Sequence, residues 1–492
     1  MKTRKRWKWV PAAAVLSLAM TACGTAATGT DPAGTENTGT EQAGTGNAGR
    51  EQPGAENTDT ERPGAESAGT AHPEAVPETA PGTEEEQISW YTRKLEESQV
   101  PETFLNSLDQ FSYRTASALF SGGEVSENEN YSPLSLYYAL GMAASGAEGE
   151  TFQELAELLG EEDKDGLTEG CRTLYENLYY TQKLQELYDG MNESGEDGGE
   201  KKQPSVSLAN SLWADEELEV KEDYRSLLAD SFYASSYEVD FTEDEAWRQM
   251  ESWIADKTKG VMQPELPKDP STLLALINTF YYYGAWENEF QAEETAEDTF
   301  YRMDGSTSRG DFMHVSVSGS GYKEGDGWKA ASLGLRGDGR GDEMVFVLPD
   351  EGSSVEDLLA SPDDLKEALE LGDEYRPVNW TVPKFSFGSS IDGNTLLESL
   401  GVSRMFTDLA EFPDISDRSL QVSKVIQETH IGLDEQGVEG AAYTVVMMME
   451  TAAPLVPEEP VEMRLDRPFI YGIRSGTGGW LFLGVVRDPF AS

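Results

Sequence analysis

The chain has 492 residues and a formal net charge of −54, from 37 basic and 91 acidic side chains, with only three histidines and two cysteines. Such a charge argues against binding to nucleic acid, and against binding to an anionic membrane through a basic patch. So few histidines and cysteines leave little material for a metal site or for a Ser-His-Asp or Cys-His centre. We therefore expect no metal, no cofactor and no catalytic activity.

Residues 1–23 have the composition of a bacterial lipoprotein signal. Five basic residues lie within the first eight, and the apolar run 10–20 that follows is too short to span a bilayer as a mature helix. The sequence Met20-Thr21-Ala22-Cys23 resembles a lipobox, in which cleavage leaves Cys23 to be diacylated. We expect a secreted protein that its lipid anchors to the outer face of the bacterial membrane. The alternative is a plain signal peptide with a chance cysteine.

Residues 24–86 are predicted to be a disordered tether. Gly, Thr, Ala, Glu, Pro and Asn dominate the segment in a rough five-residue repeat, and it has almost no large apolar residue with which to form a core. About 60 such residues have a root-mean-square reach of roughly 40–45 Å. The tether would therefore hold a domain formed by residues 87–492 away from the cell surface. A recognition repeat is the alternative interpretation.

The first half of this domain is predicted to be mainly helical. Apolar spacing indicates a helix over residues 104–120, and Ser132-Pro133 is a typical helix start ahead of the apolar run 136–144. Another helix is predicted to open near Glu150. The polar segment 184–204 is interpreted as a surface insertion.

The second half is predicted to be rich in strands. The almost continuously apolar segment 273–283 is typical of a central strand buried on both faces. Further strands are predicted over 206–213, 237–241, 344–348, 379–385 and 422–433, and further helices from Lys221 and over 247–258, 364–371 and 395–400. Helices followed by strands predict an α+β domain built on antiparallel sheets.

Residues 435–453 have the pattern of a strand but precede a proline-rich run. The face that begins with Val438 and Gly440 is uncharged and could be buried in a sheet, whereas the face that carries Tyr443 could point outward. No central strand would tolerate the prolines of segment 454–460. This pattern fits an ordinary edge strand and loop, or a mobile segment that can insert into a sheet.

Seven motifs, in order over roughly residues 100–490, resemble those of the serpin superfamily of serine protease inhibitors. They are NYSPLS at 130–135, GAEGET at 146–151, SWI and TKG within 252–260, NTFYYYGAW at 278–286, VPKF at 382–385, MRLDRPFIY at 463–471, and LFLG with DP near the end. The resemblance implies helices packed on three mainly antiparallel β-sheets, with an exposed reactive-centre loop at about 435–460. It also implies inhibition by a suicide-substrate mechanism, in which the cleaved loop inserts into the main sheet and traps the acyl-enzyme.

The resemblance also implies roles for individual residues. The hinge of the loop would comprise Glu435, Gly437, Val438, Glu439, Gly440, Ala441 and Ala442. The breach and shutter, which control opening of the main sheet, would involve Lys384, Trp286, Ser132, Ser135, Asn278 and Gln427. Lys384 would pair with Glu435 at the top of the sheet. Three positions depart from the family pattern: Val438 replaces the usual threonine or serine, Gln427 replaces a frequent histidine, and Tyr443 follows the hinge where a small residue is usual.

The position of the cleaved bond depends on where the counting starts. The family spacing counted from the hinge gives Thr451–Ala452, whereas counting back from the C-terminal signature gives 457–458. We favour the hinge count, because extra length before the bond would let the protease travel without being distorted. Met449 and Ala453 are the alternatives.

The loop composition indicates the class of target protease. Small residues near the bond suit an elastase-like enzyme, and a trypsin-like target is not expected because no Lys or Arg lies between Lys424 and Arg464. Subtilisin-like or cysteine proteases remain alternative targets. A non-inhibitory serpin that acts as a binding or structural module, supported by Val438 and Tyr443, is the alternative function. We expect a monomer whose only membrane contact is the lipid, and Cys171 has no predicted role.

Overall fold

The computed structural model describes residues 12–22, 76–122, 127–192, 205–336, 341–438 and 459–491. Its helices are α1 (Glu84–Glu97), α2 (Glu102–Gly122), α3 (Pro133–Gly146), α4 (Gly149–Leu159), α5 (Lys164–Asn192), α6 (Glu222–Phe232), α7 (Asp244–Lys257), α8 (Val355–Leu359), α9 (Pro362–Leu369) and α10 (Gly393–Ser399).

The strands are β1 (Ala12–Ala22), β2 (Glu129–Tyr131), β3 (Ser205–Asp215), β4 (Ala234–Val239), β5 (Thr272–Trp286), β6 (Ala296–Tyr301), β7 (Thr307–Gly325), β8 (Trp328–Arg336), β9 (Asp342–Pro349), β10 (Tyr375–Pro383), β11 (Phe385–Asp392), β12 (Leu420–Leu433), β13 (Gly437–Val438), β14 (Val461–Arg464), β15 (Phe469–Arg474) and β16 (Trp480–Val486). The predicted α+β class is confirmed.

The strands fall into three mainly antiparallel groups. The main sheet has the order β4-β3-β5-β12-β11, with β1 and β13 lying between β5 and β12. A second group comprises β8, β9, β15, β16 and β2, and a third comprises β6, β7, β10 and β14. The long strand β7 connects the third group to the second, where its end pairs with β8.

Strand β5 is the centre of the molecule and is buried on both faces, as its sequence predicts. Leu276 and Phe280 on one face join the large core beneath the main sheet. Ile277 and Tyr281 on the other face pack in a second core with Trp247 of α7. Helix α3 is fully buried beneath the sheet, which explains why it is apolar on all sides.

The predicted surface insertion at 184–204 is wrong for its first nine residues, because α5 continues to Asn192. Leu184 and Leu187 lie three residues apart and pack, with Tyr91 and Leu95 of α1, in a small separate core. The polar residues within 184–192 therefore belong to the last turns of a helix.

Two predicted strands have different bounds in the structure. The strand predicted over 237–241 is β4, which begins at Ala234 directly after a left-handed Tyr233 ends α6. The strand predicted over 379–385 is two strands, since β10 ends at Pro383 and β11 begins at Phe385. Proline cannot donate to a sheet ladder, which favours a break at this point.

Candidate functional site

The candidate site is the gap between β5 and β12, which the first residues of the predicted loop enter. After β12 ends at Leu433, a short turn leads into β13, whose Val438 pairs with Leu433 of β12 and with Gly284 of β5. The Asp434 carboxylate stabilises the turn by accepting hydrogen bonds from the backbone N–H groups of Gln436, at 2.9 Å, and Gly437, at 3.3 Å. The hinge is thus already paired on both sides.

Gly437 is required here by close packing. It pairs with Ala285, and a Cβ atom at Gly437 would collide with the Gly284 carbonyl oxygen and lie 2.9 Å from the Ala285 Cα. Gly437 is not among the residues with positive φ. Close packing against β5 is thus the structural reason for a glycine at this predicted hinge position.

Val438 is fully buried in the large core. This position fits the predicted burial of the loop face that begins with Val438. A threonine here would bring a hydroxyl into an apolar environment, where it would need a hydrogen-bond partner. The side chain of Val438 therefore adds apolar packing to the main-chain pairing that holds the hinge in the sheet.

The predicted ion pair lies at the top of the gap. Lys384 Nζ donates to Glu435 Oε2 at 2.7 Å, with side chains 21% and 15% exposed. Thr295 Oγ1 donates to the other oxygen of Glu435 at 2.8 Å. Trp286 holds the same turn, because its ring Nε1 donates to the Asp434 carbonyl at 2.8 Å and its backbone N–H to the Gln436 carbonyl at 3.1 Å.

The two adjacent carboxyl groups of this turn have opposite pKa shifts. Burial raises the pKa of Asp434, and the nearby charge of Glu435 adds to this. Burial also acts to raise the pKa of Glu435, but the hydrogen bonds from Lys384 and Thr295 outweigh it and leave that pKa below its ordinary value. Glu435 is therefore held in its charged form, as the ion pair with Lys384 requires.

Polar residues form a buried chain behind the middle of the gap. Ser132 is the N-cap of α3, and its backbone N–H donates to Gln427 Oε1 at 3.2 Å while Gln427 Nε2 donates to the Ser132 carbonyl at 3.0 Å. Ser135 Oγ donates to Asn278 Oδ1, and Asn278 Nδ2 donates to Asn210 Oδ1 at 2.7 Å. The four predicted shutter residues therefore lie in contact with one another in two pairs, on α3, β5 and β12.

Asn210 completes this chain and was not predicted as a site residue. It lies on β3 directly opposite Asn278 of β5 and also donates to the Phe232 carbonyl at 2.7 Å. The signal in the sequence was an asparagine inside the otherwise strand-like segment 206–213. A buried amide must have partners, so such a residue marks a polar contact within a sheet.

The apolar run predicted as the core of a signal forms β1, which lies in the same gap below β13. It is antiparallel to both neighbours: Ala13 pairs with His430 of β12 and Tyr281 of β5, and Leu16 pairs with Gln427 and Asn278. Met20 is fully buried in the large core. The gap is thus occupied along most of its length.

Several predicted residues lie outside the described part of the chain, and their roles stay predictions. These are Cys23, Glu439, Gly440, Ala441, Ala442, Tyr443, Met449, Thr451, Ala452 and Ala453. Within the described ranges, no cluster of three or more His, Cys, Asp or Glu side chains is suited to hold a metal ion. No helix in those ranges has the length and apolarity needed to cross a membrane. Cys171 is buried and not in a disulfide, and burial raises the pKa of its thiol.

Comparison with known proteins identifies one family. The family model for serpins (serine protease inhibitors) matches residues 106–489. Serpin-Z2B of Triticum aestivum is 31% identical over 404 residues, which cover 78% of this chain and 96% of the relative. Among solved structures, the thermophilic serpin tengpin in its native state is 25% identical with a TM-score of 0.64, covering 79% of this chain and 95% of tengpin. Arabidopsis AtSerpin1 in its native stressed conformation is 26% identical with a TM-score of 0.63, covering 80% and 99%.

Proposed function

The chain belongs to the serpin family of serine protease inhibitors, and on that premise we propose that it inhibits elastase-like proteases as a suicide substrate. The protease attacks its bait bond at Thr451–Ala452. The serine Oγ bonds to the Thr451 carbonyl carbon, the bond to the Ala452 nitrogen breaks, and the serine proton passes through the protease's general base to the new amine. Insertion of the loop then traps the acyl-enzyme before water can release it. The protein acts as an inhibitor and not as an enzyme.

The observation that carries this proposal is the pairing of β13 with both β5 and β12. Where β1 is absent from the gap, insertion needs only the continuation of a ladder that has begun, without a new nucleation step. Each further residue can add main-chain hydrogen bonds and side-chain burial, which supply the free energy for moving the protease.

The length of β5 supports Thr451 as the residue before the cut. If the register of β13 continues residue by residue, Thr451 falls opposite Ser271, which directly precedes Thr272, the first residue of β5. A protease attached at Thr451 would be carried along the whole strand, roughly 40–45 Å at about 3.4 Å per residue. A cut at 457 would instead leave six more residues of slack before the protease meets the end of the sheet.

We also propose that the protein acts outside the cell as a lipoprotein anchored through Cys23, with the low-complexity segment after it as its tether. The predicted end of the tether at residue 86 is too late, because Glu84 already begins α1. The support is the sequence alone: the lipobox-like Met20-Thr21-Ala22-Cys23 and the low-complexity segment after it. A lipid at the end of such a tether would keep the inhibitor near the cell surface while its domain remains free to meet proteases.

The inhibitor proposal is tested by mixing a chain that starts at residue 24 with an elastase. We expect a covalent complex that resists SDS, and a released C-terminal peptide that mass spectrometry finds to begin at Ala452. Ala442→Glu places a charge on the predicted inward face and should convert inhibitor to substrate, whereas Tyr443→Glu, on the outward face, should preserve trapping. Clean cleavage without a complex would refute inhibition, and a peptide that starts beyond Leu455 would refute the assigned bond.

A further inference from the structure

The N-terminal strand β1 and the hinge strand β13 share one gap and one register. Both run antiparallel to β5 and β12, so they point in the same direction. Continuing the pairing of β13 places Gly440 opposite Tyr282, which is the partner of Ala12. The same continuation along β12 places Ala441 opposite His430, which is the partner of Ala13. Both neighbouring strands therefore give the same alignment of β1 with the loop.

In this alignment, small and large side chains follow a similar order in the two sequences. Residues 12–20 read AAAVLSLAM, and the loop residues that would take their places, 440–448, read GAAYTVVMM. Both begin with small residues and both end in methionine. Met20, which takes the register of Met448, is fully buried in the large core. This burial agrees with the inward face predicted for the loop, which begins at Val438 and repeats every second residue.

Strand β1 also separates the two strands that carry the shutter residues. The position of Leu16 in the ladder lies between Asn278 of β5 and Gln427 of β12. While β1 is in place, the positions on both strands that an inserting loop needs for its main-chain hydrogen bonds are already paired with β1.

We propose that the uncleaved N-terminal segment is an internal blocker of the loop gap, which keeps the precursor from trapping proteases until Ala12–Ala22 is removed. This inference rests on the proposed function, because only an inhibitor that works by insertion is silenced when the gap is filled. Hydrolysis of the Ala22–Cys23 bond by a signal peptidase would detach β1 and open the gap. A precursor that meets a protease would be cut in its loop as an ordinary substrate.

The test compares the full chain with a chain that lacks residues 1–22, both made by cell-free translation without membranes so that the leader is not processed. Both are mixed with an elastase, and the SDS-resistant complex is measured. We expect the full chain to give at least about tenfold less complex, as for an occupant that leaves a tenth or less of the molecules open. Met20→Glu in the full chain places a charge in the core position and should expel β1 and restore trapping. Met20→Leu is the matched control and should stay blocked.

Equal trapping by the full and shortened chains would overturn the blocker while leaving the inhibitor proposal intact. Trapping by neither chain would refute the inhibitor proposal, and the gap is then tested directly. A fluorescein-labelled peptide of residues 12–22 is incubated with the shortened chain and followed on a native gel. Binding that an unlabelled peptide of residues 440–450 displaces would support occupation of the loop gap by the leader, and absence of binding would refute it.

Discussion

At the scale of single residues, Gly437 shows what a sequence can predict and what it cannot. The position of a glycine in a hinge followed from the family pattern. The reason for it depends on the distance between two backbones, since the Gly284 carbonyl leaves no room for a Cβ. The Lys384–Glu435 pair was likewise predicted by resemblance, but only the fold brings two residues 51 positions apart to 2.7 Å and adds Thr295 as a third partner.

Gly437→Ala should weaken the hinge. The added methyl would push β13 away from β5, an overpacking that costs about 1–3 kcal/mol in a tight site. We expect a lower midpoint of urea unfolding for the chain without residues 1–22, and more cleaved inhibitor relative to complex when it meets an elastase.

Gly319→Ala is the matched control for this variant. Gly319 also lies in a strand, but a Cβ there would meet no atom within 4 Å. The control should keep the original midpoint and the original yield of complex. Equal behaviour of the two variants would mean that close packing at Gly437 does not govern insertion.

At the scale of elements, the sequence predicted the presence of the helices and central strands better than their first and last residues. The apolar pattern of β5 and the start of α3 at Ser132 were found because burial and capping leave local signals. Strands without an apolar run of their own were harder to find: β6, β7 and β8 were not predicted at all, although they pair with their neighbours in the chain. The residues of β6 are largely exposed, and glycines interrupt β7 and β8, so these segments become strands through their partners.

The contact between α3 and the main sheet gives a prediction at this scale. Asn278→Ala would remove a side chain that accepts from Ser135 and donates to Asn210, and all three residues are buried. Two polar groups would lose their partner, at about 1–3 kcal/mol each. We therefore expect an unfolding free energy lower by about 2–6 kcal/mol in urea titrations of the chain without residues 1–22.

Asn379→Ala tests whether this loss comes from burial or from the asparagine alone. Asn379 also bonds two side chains, Ser316 and Glu462, but at the surface where water can replace it. The change in its unfolding free energy should be under about 0.5 kcal/mol. A similar loss in both variants would show that the buried chain does not fasten α3 to the sheet.

At the scale of the whole molecule, the family motifs predicted the three groups of strands and the main sheet, because those motifs extend over nearly the whole domain. They could not predict what lies in the gap. An apolar run of eleven residues fits a signal core and a buried strand equally well by hydropathy, and only its ladders with β5 and β12 distinguish the two. The segment that its sequence predicts to be a signal core thus lies in the main sheet of this structure.

Occupation of the gap leads to a prediction about heat stability. When the loop of the shortened chain is cut by a protease that escapes trapping, a strand of about ten residues can enter between β5 and β12. Hydrogen bonds and side-chain burial then exceed the cost of ordering the strand by something on the order of 5–10 kcal/mol. In a domain of about 400 residues, 1 kcal/mol shifts Tm by about 1 °C, so cutting should raise Tm by roughly 5–10 °C.

The full chain, cut at the same bond, should gain far less because β1 already fills the gap. Calorimetry of the cut and uncut forms of both chains measures the difference. If the shortened chain gains no stability on cutting, the gap is not a reservoir for insertion, and if the full chain gains as much as the shortened one, β1 does not hold the gap against the loop.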